Sequence, residues 1–318
     1  MNKKSIFSSI LKYPLMGLVV AVGFSSCNDD DDMPPVQEDP NIVEVASANN
    51  NFSTLVAAVD AAGLVETLSG PGPFTVFAPT NDAFGSFLED NNLTANQLLA
   101  SDQLADVLTY HVLGASVPSS AVSAGRVNTV AGDPFFVSAA PNGELWINGN
   151  TRIVQTDVAA SNGIIHVLDY VITPPTQNIA EIAIASTQAA TPEFTQLVAA
   201  LVRADLAGAF TGGFDDDFTV FAPTDAAFEA LYEVLGVNGV DDIPLETLTN
   251  VLLYHVVPAR AFSQDLREGA ELPSLLEGST LTVNLGSLQI NDSGLVPSAL
   301  NIHATNGVIH VIDSVLLP

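Results

Sequence analysis

The chain's capacity for chemistry rests on five histidines, one cysteine and 36 acidic residues. Four of the histidines form two matched sets. His111 and His255 each follow a tyrosine, Tyr110 and Tyr254; His166 and His310 each precede an aspartate by three residues, Asp169 and Asp313. A histidine beside a carboxylate suggests acid–base or metal chemistry, but the spacing argues against it here. His166 and His310 lie in apolar, β-branched runs that read as strands, and an odd separation in a strand sends two side chains to opposite faces. His166 shares its face with Ile164, Leu168 and Ile172 and reads as a core or sheet-face histidine. His111 ends the helical stripe Leu104, Val107, Leu108, and His255 ends Leu248, Val251, Leu252, so both read as packed histidines. The run Asp215-Asp216-Asp217 offers oxygens to Ca²⁺ but lacks the alternating ligand spacing and glycine of a calcium loop, and reads as a solvated turn. Gly-x-Ser-x-Gly, His-Glu-x-x-His and the dinucleotide glycine fingerprint are absent. With 36 acids, some carboxylate pair always looks fit for glycoside hydrolysis, so that signal carries no weight. The chain is read as no enzyme, with no cofactor and no metal site.

The charge balance narrows the partners. The 318 residues carry eight basic side chains and a formal charge of −28. Three of the eight, Lys3, Lys4 and Lys12, precede every acid; from Cys27 onward five arginines face 36 acids, a charge of −31. Such a chain repels phosphate backbones, which excludes nucleic acid. Without a lysine beyond residue 12, Walker loops and Schiff-base chemistry are excluded as well. One cysteine permits no internal disulfide.

Residues 1–27 read as an export signal: a basic start, the ten-residue apolar stretch Leu15 to Phe24, then Ser25-Ser26-Cys27. The stretch is too short to span a bilayer. Phe24-Ser25-Ser26-Cys27 resembles a lipobox, which implies lipidation of Cys27, although Phe24 stands where leucine is usual. The following Asn28-Asp29-Asp30-Asp31-Asp32 resembles the acidic signal of Bacteroidetes surface lipoproteins. It implies a lipid-anchored protein on the outer membrane, facing the exterior. Residues 28–40, with three prolines and no apolar periodicity, read as an extended tether.

The remainder is one unit written twice. Phe74-Thr-Val-Phe-Ala-Pro-Thr-Asn-Asp-Ala-Phe84 recurs at Phe218–Phe228, Tyr110-His111-Val112 at Tyr254–Val256, and Asn162-Gly-Ile-Ile-His-Val-Leu-Asp169 at Asn306–Asp313, always 144 residues on. A period of this size is domain duplication, with repeats at 41–174 and 178–318 and a stiff joint at Pro174-Pro175-Thr176. Each repeat predicts an early helix (Phe52, Leu55, Val56, Val59), an apolar strand ended by Pro79, and a helix capped by Thr80 or Asn81. A helix from about Asp102 into Tyr110-His111 follows, then several short strands, the last from Ile164 to Ile172. Helices first and strands mainly later predict an α+β fold with an antiparallel sheet.

These three motifs, in this order and in both copies, resemble the fasciclin (FAS1) domain over about 275 residues. The resemblance implies two tandem domains, each a β-wedge or sandwich with helices packed against it, and a role in cell or matrix adhesion. It also implies that Tyr110, His111, Tyr254 and His255 belong to a segment that contributes to partner binding in animal relatives. Asp157-Val158 resembles the Asp-Ile pair those relatives use for integrin contact, with Val replacing Ile; the second copy has Asn301-Ile302 instead. The expected function is non-catalytic binding of a cell, matrix protein or glycan, with Ca²⁺ able to bridge the acidic surface. The alternatives are a small-ligand or saccharide module, which requires a pocket with convergent polar groups, and a structural spacer in an envelope complex.

Overall fold

The computed structural model describes residues 39–318; Cys27 and the rest of the leader and tether up to Glu38 lie outside the described residues. The first repeat opens with the short helices Ile42–Ser47, Ser53–Ala61 and Val65–Ser69. Asn41 starts the first of them. Its Oδ1 accepts from the Val43 and Glu44 amides, while Glu44 reaches back to the Asn41 amide at 2.8 Å, so two otherwise unpaired ends are satisfied reciprocally. Asn178 and Glu181 do the same in the second repeat.

The strand Phe74–Pro79 follows, and Thr80 caps the helix Asn81–Asp90 by accepting from the Ala83 amide. Asn81 does not cap. It ties this helix to the earlier one through the Thr54 amide and the Asn50 carbonyl. The periodic residues Phe52, Leu55, Val59, Phe84 and Phe87 are buried together against Ile165 and Val167. The helix leading to Tyr110 spans Leu104–Tyr110.

The antiparallel expectation needs one correction. In each repeat the first strand pairs in parallel with the last: Phe74–Pro79 with Gly163–Leu168, and Phe218–Pro223 with Gly307–Ile312. The other strand pairings are antiparallel. In the first repeat, seven strands run in the order Val112–Leu113, Phe74–Pro79, Gly163–Leu168, Thr151–Ala160, Leu145–Ile147, Pro134–Ala139, Gly125–Asn128. The long strand Thr151–Ala160 carries register shifts around Gln155. Such irregularities bend a strand and let one sheet fold over itself. Because side chains alternate, Val76, Ala78, Ile165 and Val167 face the helices, while Phe77 and Leu168 face Phe135, Val137 and Ile147 in a second core. The second repeat divides its strands between two four-stranded sheets, joined by a bridge from Leu295 to Ile312.

The Asn-Gly turn before the last strand is the joint of each repeat. Asn162 accepts from the Ile42 amide at 3.0 Å and donates to the Leu68 and Gly70 carbonyls at 2.8 Å. Asn306 binds the Ile179 amide at 2.9 Å and the Phe210 carbonyl at 2.8 Å. A Cβ on Gly163 would run into the carbonyl oxygen of Phe74, and one on Gly307 into that of Phe218. Gly163→Ala should therefore push the parallel pair apart and destabilise the protein by about 3 kcal/mol. A urea midpoint unchanged from wild type would contradict that close approach.

Candidate functional site

Tyr110 and His111 lie inside the first repeat, 0% and 2% exposed. The His111 Nδ1 lies 2.7 Å from the Val107 carbonyl, so it carries the proton, and Nε2 accepts from the Ile172 amide at 3.1 Å. His255 repeats both contacts with Val251 and Leu316, at 2.7 and 2.9 Å. Each ring is a neutral strut between a helix end and the C-terminal segment of its repeat. Burial pushes both down to about 4, against a partial opposing effect of the carbonyl bond. Tyr110 donates to the Pro134 carbonyl and Tyr254 to the Thr280 carbonyl, both at 2.9 Å. Burial raises the Tyr110 hydroxyl well above the usual phenol range. The four Tyr-His residues, offered by the resemblance as partner-binding, are thus buried struts of their repeats, with Tyr254 also lining an open surface pocket beside Thr280, Thr282 and Asn291.

Sequence reasoning missed the asparagines that hold these tyrosines. Asn148 and Asn291 donate to the Tyr110 and Tyr254 hydroxyls at 3.1 and 2.8 Å, and their Oδ1 atoms accept from the Phe136 and Thr282 amides. Both sit at φ 51°, a left-handed conformation that asparagine tolerates. The detectable signal was an asparagine recurring at 143 rather than 144 residues.

His166 and Asp169 do face apart. His166 Nε2 bonds the Val117 carbonyl at 2.9 Å, while Asp169 pairs with Arg152 at 3.3 Å. The His166 Nδ1 accepts from the amide of Asp157 at 3.3 Å. Asp157 itself is exposed, at φ 60°, with its carboxylate on the amide and hydroxyl of Ser119. Those Ser119 bonds, the hydroxyl's foremost, hold Asp157 below the usual carboxylate range. Asn301 is its counterpart. It accepts from the Ser263 amide at 2.8 Å and its own amide meets His310 at 3.3 Å, but it is buried.

Asn301 is buried because the two repeats dock there, within one compact unit spanning Asp39–Pro318. Asn301 and Gln264 both donate to the Gly149 carbonyl, at 2.8 and 2.9 Å. Ser138 donates to Asp265 at 2.8 Å, and Arg267 to the Ala139 carbonyl at 2.7 Å. Phe136 packs with Phe262 and Val308. Arg260 lies beneath, its guanidinium 4.0 Å from the centre of the Phe136 ring and paired with Asp217 at 2.9 Å. His303 meets Phe136 and Phe262 edge-on, and burial pushes it down to about 3. Asp217 of the acidic run thus serves the junction, and Asp215 lies 3.9 Å from Arg126. Among the described residues, no group of three His, Cys, Asp or Glu side chains is placed to hold a metal ion.

Each repeat also encloses a small apolar cavity between its early helices and its sheet. That of the second repeat is about 70 Å³, lined by Ile179, Phe194, Leu197 and Phe210 among others; the equivalent in the first is about 30 Å³. The walls are apolar apart from His255 and His111, whose ring nitrogens are already bonded, so they offer no free polar group to orient a sugar.

The Fasciclin domain model matches residues 50–174 and 192–318. Protein sll1483 of Synechocystis is 48% identical over 138 residues, covering 42% of this chain and 73% of that protein. The transforming growth factor-beta-induced protein ig-h3 of Sus scrofa is 30% identical over 304 residues, 93% of this chain but 42% of the relative's length. The FAS1 domain pair of the insect cell adhesion molecule Fasciclin I covers 83% of this chain and 96% of its own, at 17% identity and a TM-score of 0.37. With both repeats matched by the same domain, the chain belongs to the fasciclin domain family and carries two tandem copies.

Proposed function

We propose that this chain is a non-catalytic binding protein of the cell surface, held to the outer membrane by a lipid on Cys27 and facing outward. It engages a cell, matrix protein or glycan through the exposed face around Asp157. The observation that carries this reading is the asymmetry of the two repeats. The Asn301 face of the second repeat is consumed in docking, while the matching face of the first is exposed and presents an ionised carboxylate. Family membership and a charge of −31 beyond residue 26 support a cationic partner, or bridging by Ca²⁺.

The test is binding of the labelled chain to intact cells, with Ca²⁺ and with EDTA. Saturable binding is expected, and Asp157→Asn should weaken it at least tenfold. That substitution mimics Asn301 and keeps an acceptor for Ser119, so the thermal midpoint should hardly move. Binding equal to wild type would remove Asp157 from the interface. The Cys27→Ala protein should leave the membrane fraction; retention there would remove the lipid anchor.

A further inference from the structure

The second repeat shows what fits a basin that the first repeat leaves open. Arg260 Nη1 donates to the carbonyls of Ala304 and Gly307, at 2.8 and 2.9 Å, and Nη2 to that of Thr305 at 2.9 Å. These carbonyls belong to the tight turn between the last two strands. The first repeat has the same turn 144 residues earlier, at Ala160, Ser161 and Gly163. Its register is the same, Ala160 opposite Gly163 as Ala304 is opposite Gly307. Its anchoring also matches, with the Asn162 and Asn306 carbonyls accepting from Phe74 and Phe218 at 3.0 and 3.1 Å.

The backbone that delivers the side chain is equally matched. Thr75 bonds the Ala115 carbonyl and the Val117 amide at 2.6 and 2.8 Å; Thr219 bonds Ala259 and Ala261 at 2.6 and 2.9 Å. Between those anchors stands Arg260 in the second repeat and the short, exposed Ser116 in the first. Asp217 and His303 become Pro73 and Ala159. What remains is an open basin of about 620 Å³, lined by Pro71, Pro73, Ser116, Ala160, Ser161 and Gly163 among others.

We propose that this basin receives the guanidinium of an arginine side chain from a partner protein. Carbonyl oxygens only accept, and two of them on one nitrogen with a third on the next suit a planar fork rather than the compact ammonium of lysine. The charge of −31 draws a cation toward the surface. The basin is open, so it buries only the end of a side chain. Useful affinity must come from the surrounding face, which includes Asp157, and this points to a protein rather than free arginine as the source. The basin itself does not depend on the adhesion reading; the identity of the arginine's source does.

The test titrates N-acetyl-arginine amide into the isotope-labelled full chain and follows the backbone amides of residues 160–163 by NMR. These signals should shift with the arginine compound at tens of millimolar. The neutral citrulline analogue and the lysine analogue should shift them at least fivefold less. Ser116→Arg, which rebuilds the second repeat's own arrangement at an exposed position, should abolish the shifts while the thermal midpoint holds. Absent shifts, equal shifts with citrulline, or shifts that survive Ser116→Arg overturn the site. If wild type binds cells and Ser116→Arg binds equally well, the partner-protein source is overturned. If wild type binds no cell, the adhesion reading and its partner arginine fall, while the titration still decides the basin.

Discussion

Between pH 6.5 and pH 4 the protein should lose most of its stability, because its buried histidines must charge to follow the solvent. His111, His255 and His310 are each pushed by burial from 6.5 down to about 4. All three rings are held neutral, with one nitrogen on a carbonyl and the other accepting a backbone amide. Charging such a ring would turn its acceptor nitrogen into a donor facing an N–H, so the native state resists the proton that the unfolded chain takes readily. The unfolded state therefore binds more protons in this window, and stability rises with pH across it. The contribution is complete above 6.5 and lost as pH falls toward 4. Each ring is worth about 3 kcal/mol at pH 4, so His111 costs the first repeat about 3 kcal/mol, and His255 with His310 costs the second about 6 kcal/mol, against the ~5–15 kcal/mol that holds a typical domain folded. Relief of repulsion among the 36 acids on acidification opposes this, but only as the carboxylates themselves protonate near pH 4. Urea midpoints should be flat from pH 8 to 7 and fall steeply below 6. A flat profile down to pH 4.5 would show that the rings are not held neutral as described.

The features legible in the sequence were those the two copies share. The constant spacing of 144 exposed the duplication, the family and the turn before the last strand. The stripes ending in His111 and His255 marked packed histidines, since a helix face that is apolar for two turns has its last position under the core as well. Strand direction was not legible. Alternation reports which face a residue takes and nothing about which neighbour lies beside it, so the parallel partnership of Phe74–Pro79 with Gly163–Leu168 needed the structure. The junction was missed for the opposite reason. It is built where the copies differ, at Arg260, Phe262 and His303 against Ser116, Pro118 and Ala159, and a repeated pattern carries no information about positions that do not repeat.

Those differences make the docked pair fragile at one point, Gly149. Its φ of 71° already favours glycine, and a Cβ there would lie 2.6 Å from Phe262 Cδ1 and 2.7 Å from Asn301 Cγ. Neither neighbour can yield easily. Phe262 is 1% exposed, and Asn301 is fixed by Ser263 and by the Gly149 carbonyl itself. Gly149→Ala should therefore separate the repeats rather than deform either core. Separation forfeits the bonds from Asn301 and Gln264 to Gly149, Ser138 to Asp265, and Arg267 to Ala139. At about 1 kcal/mol each, that is roughly 4 kcal/mol of coupling. It also uncovers Phe136 and Phe262 and strips the aromatic lid from Arg260. The wild-type chain should melt as one calorimetric transition and the variant as two, with new protease cleavage near Pro174-Pro175-Thr176. Gly143→Ala is the control, because Gly143 has φ 86° and a Cβ added there would meet nothing within 4 Å. It imposes backbone strain alone, about 1 kcal/mol, and should leave one transition. If Gly149→Ala also melts as one, slightly lowered peak, the junction does not couple the repeats, and the second repeat's Asn301 face is as available to partners as the Asp157 face of the first.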